Sequence, residues 1–300
     1  MPRGDEVHDR RAGRPETVPE HPKRSNGQHA SPESRVFASP VVSRQSPVVS
    51  RHASRPGCIM PGMIAHELRY ETAGRSLRYL DTGEGRPLVL LHAFPLSADM
   101  WAPQIGSLPP GWRLIAPDLR GFRGVASPAD PSPVGPVTMD DYARDVLALL
   151  DHLRIPAAVV GGLSMGGYVT FALYRLAPER VRGVLLANTR PQADTDEGRA
   201  QRRQMIALVA REGAAGVARE MAPMLLGRTT QRERPEVTAR VRALIEANST
   251  DAISSAIGAL MTRPDSTPML ESMRAPAIVV VGMEDMLIPR EAADLMFDTL

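Results

Sequence analysis

Five short apolar runs, bounded or broken by Gly or Pro, constrain this chain more than any other feature: 87-PLVLLHA-93, 114-LIAPDL-119, 157-AAVVGGLS-164, 183-GVLLANT-189 and 276-PAIVVVG-282. Each is strand-sized, with an apolar stretch that does not alternate. A strand without polar alternation is covered on both faces, which implies a parallel sheet flanked by helices. Upstream, 64-IAHELRY-70 and 76-SLRYLD-81 do alternate and flank a Gly-containing turn, as in an edge hairpin. Helical stretches fall between the runs. The segment 138-TMDDYARDVLALLDHLR-154 opens with Thr138 as N-cap and Asp141 three residues on, a capping box with Asp in place of Glu. Its apolar positions Tyr142, Val146, Leu149, Leu150 and Leu153 recur at helical spacing. Alternating strands and helices of this kind predict a doubly wound, mostly parallel α/β fold. The exception is 190–275, which reads as helices only (201–213, 235–248, 253–261). Helices inserted between two sheet strands predict a cap over the sheet's C-terminal edge, where such folds bind ligands.

Composition narrows the classes. At 300 residues the chain holds one large domain or two small ones, and 43% hydrophobic with 23% charged residues excludes a wholly disordered chain or a fibre. No apolar run approaches the roughly 18 residues of a membrane span. A single cysteine, Cys58, can form neither an internal disulfide nor a thiolate cluster. The formal charge of +2 is too balanced to point to nucleic acid as a partner. Residues 1–62 differ from the rest: ten Arg/Lys against six Asp/Glu, nine prolines, eight serines and the repeat 39-SPVVSR-44/46-SPVVSR-51. Such a segment buries too little apolar surface to offset its ordering entropy, so it is expected to be a disordered tail preceding a domain over 63–300. It has no apolar core of a secretory signal, so the expected location is cytoplasmic.

The chemical signal is 161-GGLSMGG-167. Gly162-Leu163-Ser164-Met165-Gly166 is a G-x-S-x-G placed between an apolar strand and the helical stretch 168–179. A serine in a tight strand-to-helix turn needs small neighbours two residues either side, and the turn lifts its Oγ above the sheet. The helix behind it offers free N–H groups and the positive end of its dipole. The alternative is a glycine-rich turn carrying an incidental serine.

On these residues the segment 63–300 resembles the α/β-hydrolases. The stretch 91-LHAFPLSADMW-101 is similar to the family's H-G-x-P loop, with Ala93 at the usual glycine. The stretch 117-PDLRGFRG-124 is similar to its D-x-R-G-x-G strand end, with Arg123 where a glycine commonly sits. S-M-G-G at 164–167 and H-x-F-P at 92–95 bring it nearest to the branch of 3-oxoadipate enol-lactonases, esterases and cofactor-free haloperoxidases. The resemblance implies a serine hydrolase acting on a small ester or lactone through an acyl-enzyme, with no metal or organic cofactor. It makes Ser164 the nucleophile and the backbone N–H groups of Phe94 and Met165 the oxyanion hole. In 282-GMEDMLIP-289 it makes Asp285 the acid, with Glu284 as runner-up.

The family's histidine follows the acid, after one more strand. All seven histidines here (His8, His21, His29, His52, His66, His92 and His152) precede Ser164. The resemblance therefore implies a C-terminally truncated chain, without the last strand and histidine loop and impaired in activity. His92 is the nearest substitute by topology, although in the family it supports the oxyanion loop. The competing expectation is a catalytically dead hydrolase fold that binds a ligand or partner.

Overall fold

In the computed structural model the described residues are 64–123 and 136–300, all within the compact unit Cys58–Leu300. The expectations for the tail 1–62 and for Gly124 lie outside them. Seven strands form one sheet: β1 (His66–Thr72), β2 (Arg75–Asp81), β3 (Arg86–Leu91), β4 (Trp112–Pro117), β5 (Ala158–Leu163), β6 (Val181–Ala187) and β7 (Ala277–Val280). Their spatial order is β1-β2-β4-β3-β5-β6-β7. β2 is antiparallel to β1 and to β4, and every other pairing is parallel. The hairpin closes on Ala73 and Gly74, both at positive φ (46° and 73°), as the turn favoured between twisted strands requires.

Nine α-helices accompany the sheet among the described residues: α1 (Ala102–Gly106), α2 (Met139–His152), α3 (Met165–Leu176), α4 (Asp196–Met221), α5 (Arg228–Glu233), α6 (Pro235–Glu246), α7 (Thr250–Thr262), α8 (Thr267–Leu270) and α9 (Arg290–Thr299). None is long and apolar enough to cross a membrane. The α2 capping box is complete: Thr138 Oγ1 accepts from the Asp141 N–H at 3.2 Å, and Asp141 Oδ2 accepts from the Thr138 N–H at 2.9 Å. α4–α8 all lie between β6 and β7, with no strand among them. The helix read over 201–213 is part of the longer α4, and its expected stop at Gly213 survives as a kink (φ 63°, ψ −162°). Glycine alone adopts that conformation without strain.

The strand period of two sorts the apolar runs between two cores. Val89, Leu91, Ile115 and Val160 join α2, α3 and residues of α4–α8 in the larger core. Leu90, Leu114 and Ala116 face the other way, onto Trp101 and Ile105. β3 and β4 are thus buried from both sides, as their composition demands. β7 is not. As the marginal strand it has one neighbour, β6, and Ile278 is 61% exposed despite the same apolar composition.

β3 pairs with β4 on one side and β5 on the other, so the loops leaving β3 and β5 diverge at the sheet's C-terminal edge. That divergence opens the crevice where ligands bind in such sheets.

Candidate active site

Ser164 sits between the end of β5 and the start of α3, with φ 53° and ψ −109°. A non-glycine residue held there stores backbone strain, so its surroundings must hold it firmly. They do. Its N–H donates to Ala187 O at 2.9 Å, while its carbonyl accepts from Thr189 Oγ1 (2.9 Å) and from the Gly167 N–H (2.9 Å). The turn tolerates no side chain nearby. A Cβ on Gly162 would lie 2.3 Å from the Gly166 carbonyl carbon, and one on Gly166 would lie 2.2 Å from Leu91 O. This accounts for the small residues two positions either side of the serine.

Met165, the first residue of α3, is fully buried by its side chain, and its N–H has no acceptor among the described residues, as at any helix start. Phe94 lies in the loop after β3, and its N–H is likewise free. Three contacts brace that loop: the Ala93 N–H donates to Met100 Sδ (3.3 Å), the Ala98 N–H to Asp118 Oδ1 (2.7 Å), and Asn248 Nδ2 to Pro95 O (2.9 Å). Ala93 keeps an ordinary negative φ, so glycine's freedom is not needed there. Arg123 does occupy the left-handed region, at φ 47°. It is held by an N–H donated to Asn248 Oδ1 (3.0 Å) and by a 2.8 Å ion pair with Asp99.

The strand end 117–120 is structural. Asp118 pairs with buried Arg78 at 2.7 Å, and Arg120 forks onto Asp145 of α2 at 2.6 Å through both contacts. Burial pushes the Asp118 carboxyl up to about 6, against the pull of Arg78.

Asp285 follows β7 in a turn that captures its carboxylate. Oδ1 accepts from the N–H groups of Leu287 (2.7 Å) and Ile288 (3.0 Å), and Oδ2 accepts from the Asn188 side-chain amide. Asn188 stands at positive φ directly after β6, and its Oδ1 accepts from the Gly282 N–H at 3.1 Å. Glu284 points elsewhere: its oxygens accept from Thr229 N (2.9 Å) and Thr229 Oγ1 (2.6 Å) at the start of α5. Those bonds hold its carboxyl below the ordinary range.

Ser164, Asn188 and Asp285 line one cavity of about 370 Å³. Met224, Leu225 and Leu226 wall it from the connection between α4 and α5, and Met283, Leu287 and Ile288 from the acid's own loop. Neither Phe94 nor Met165 belongs to that lining, and among the described residues no histidine does.

His92 is closed to proton transfer. It is fully buried, its Nε2 accepts from the Leu119 N–H (3.0 Å), and its Nδ1 contacts Ala93 O (3.0 Å). With one nitrogen accepting and the other donating, the neutral ring has no free lone pair. Burial also lowers its pKa to about 4. His66 is exposed on β1, and His152 is exposed on α2 with its ring 6.2 Å from that of Tyr70.

Three groups had no sequence signal. Asn188 and Asn248 are lone asparagines whose partners lie 97 and 153 residues away. Asp194, with 1% of its side chain exposed, accepts from Arg190, Arg202 and Arg263, and Arg263 stacks on Tyr168 at 4.2 Å. This cluster ties the α4 and α7 ends to α3.

The model of the family described as alpha/beta hydrolase fold matches residues 86–296. The chain is 32% identical over 215 residues to 3-oxoadipate enol-lactonase 2 of Acinetobacter baylyi, across 70% of this chain and 76% of that protein. A thermophilic esterase from Thermogutta terrifontis, solved with malate bound, superposes with a TM-score of 0.71 at 36% identity, covering 79% of this chain and 87% of that one. The enol-lactonase from Burkholderia xenovorans LB400 gives 0.68 at 26%, covering 77% and 87%. With the elbow at Ser164 and the sheet order above, these matches establish that the chain belongs to the alpha/beta hydrolase fold family.

Proposed function

We propose that this chain is a serine hydrolase of small esters or lactones, working through an acyl-enzyme on Ser164. The observation that carries the reading is that Ser164 and Asp285 line the same cavity, each placed just past the C-terminal end of a parallel strand, β5 and β7. Ser164 Oγ attacks the ester carbonyl, and the free N–H groups of Met165 and Phe94 take the oxyanion. Asp285, fixed by three donors, orients a base and stabilises its cation. The helices α4–α8 act as a cap, and the Met224, Leu225 and Leu226 side chains of the α4–α5 connection suit a short apolar acyl group. The enol-lactonase and esterase relatives support the substrate class.

A second reading is favoured by one specific observation: among the described residues no histidine lines the cavity, and His92 is engaged at both nitrogens. On that reading the fold binds a ligand without turning it over. Mass spectrometry separates the two. At alkaline pH, p-nitrophenyl butyrate should leave a butyryl group on Ser164, which accumulates because deacylation also lacks its base. The adduct should be absent from Ser164→Ala. Label on other residues only, with Ser164 unmodified, overturns the nucleophile and leaves the binding module.

A further inference from the structure

We propose that the protein binds a small monovalent anion of halide size between α3 and the segments leading into and out of the helical cap, where Arg175 and Arg263 line one cavity. The proposal does not depend on the reaction at Ser164. Tyr168, Phe171 and Arg175 lie on one face of α3 and supply one wall. Pro191, between β6 and α4, and Arg263 and Ser266, just after α7, supply much of the rest.

Three observations carry the site. The first is an excess of positive charge. Arg190, Arg202 and Arg263 share the Asp194 carboxylate at 2.9, 3.2 and 2.7 Å, so three cations face one anion. Arg199, which donates to the Asp194 carbonyl, is balanced by Asp196, and Arg175 by Asp140. Among the described residues no carboxylate lines the cavity, and the charged groups that do are the two arginines.

The second is an unused donor. Arg263 has 2% of its side chain exposed, and its Nε–H meets no acceptor among the described residues. The third is rigidity. The other Arg263 nitrogens reach Asp194, Leu260 O (2.8 Å) and Gln192 O (3.0 Å), and the guanidinium stacks over the Tyr168 ring at 4.2 Å. This cation is fixed before a ligand arrives, which removes the ordering cost that weakens binding to mobile surface arginines.

Size and surroundings select the ligand. A cavity of about 10 Å³ accepts one body the size of a water molecule, too little for sulfate or phosphate. Water would satisfy the Arg263 Nε–H but leave the surplus charge, whereas a halide answers both. Tyr168 and Phe171 are buried, so the local dielectric is low and the attraction correspondingly strong. The same surroundings favour chloride or bromide over fluoride, whose tighter hydration costs more to remove. Because Arg175 belongs to α3 while Arg263 and Ser266 follow α7, the bound ion ties the cap to the helix that starts at the elbow.

The test titrates the 300-residue chain with sodium chloride in place of sodium gluconate at constant ionic strength, reading the excess line width of the chloride NMR signal. The broadening should saturate, and bromide should displace it more readily than fluoride. Arg175→Gln should weaken chloride binding about tenfold, the scale of one lost charged hydrogen bond, and Ser266→Ala should weaken it less. Arg242→Gln, at an exposed arginine of α6 outside the cavity, should leave it unchanged. Melting temperature gives a second readout: relative to Arg175→Gln, the unsubstituted chain should gain stability as chloride rises, since an ion bound only by the folded state stabilises it. Broadening that stays linear, an equal loss in Arg242→Gln, or affinity and melting temperature indifferent to Arg175→Gln overturns the site and leaves the cavity to water.

Discussion

Asn248, at the end of the loop from α6 to α7, donates its side-chain amide to the Pro95 carbonyl at 2.9 Å and accepts the Arg123 N–H at 3.0 Å. One buried asparagine thus joins the helical cap to the loop carrying Phe94 and to the strained residue after β4. Asn248→Ala leaves buried partners on both sides unpaired, a cost of about 2 kcal/mol in unfolding free energy. Urea denaturation would measure it, and amide exchange at 93–98 should quicken in the same variant. An unchanged midpoint would show that water replaces the asparagine without loss.

The same substitution should have opposite signs at two glycines. In Gly166→Ala the new methyl would lie 2.2 Å from Leu91 O, against backbone that cannot withdraw. The variant should be unfolded, or lose on the order of 4 kcal/mol. In Gly258→Ala, inside α7, nothing lies within 4 Å of the added carbon. Helix propensity then stabilises the fold by roughly 0.5–1 kcal/mol. Paired thermal melts decide both.

His92 makes stability depend on pH in a definite direction. Its pKa falls to about 4 in the folded chain, from 6.5 when unfolded, because burial penalises the charged ring. The unfolded chain therefore binds more protons between these values. Its contribution is full above pH 6.5 and is lost as pH drops towards 4. Asp118, raised to about 6 by burial, opposes it over nearly the same window, because its contribution is lost as pH rises from 3.8. Ring NMR should find His92 neutral down to about pH 4. A midpoint near 6.5 would mean that the Leu119 N–H contact does not persist in solution.

Glu284 and Asp285 are adjacent but do different work. Glu284 supplies acceptors at the start of α5, where the N-cap, Gly227, has no side chain to do so. Glu284→Ala should accelerate amide exchange over 228–233 while leaving exchange at 164–168 unchanged. Acceleration at the elbow as well would place Glu284 in the support of Ser164.

Much of this could be read from residue order, because the informative features are local. An apolar run between Gly and Pro reads as a strand from its own residues, and Thr138 with Asp141 caps a helix through atoms three residues apart. The elbow was legible for the same reason, since its glycines answer to one turn. Asp285 was expected from the family resemblance, and the structure places it in one cavity with Ser164. Asn188, Asn248 and Asp194 were not, because each takes its meaning from partners brought near only by folding. Their residue types are common on any surface. The exposure of β7 was hidden by a related cause: composition reports what a strand can bury, whereas sheet order decides what lies beside it.

Three consecutive residues after and at the end of β6 hold both halves of the site. Ala187 and Thr189 grip the peptide of Ser164 from either side, and Asn188 between them reaches the other way to Asp285. Ser164 and Asp285 are therefore measured from a common origin rather than from each other. None of these contacts involves α4–α8. Any disturbance that moves the tip of β6 carries both groups together, so their mutual placement outlasts changes that would reshape everything else around the substrate.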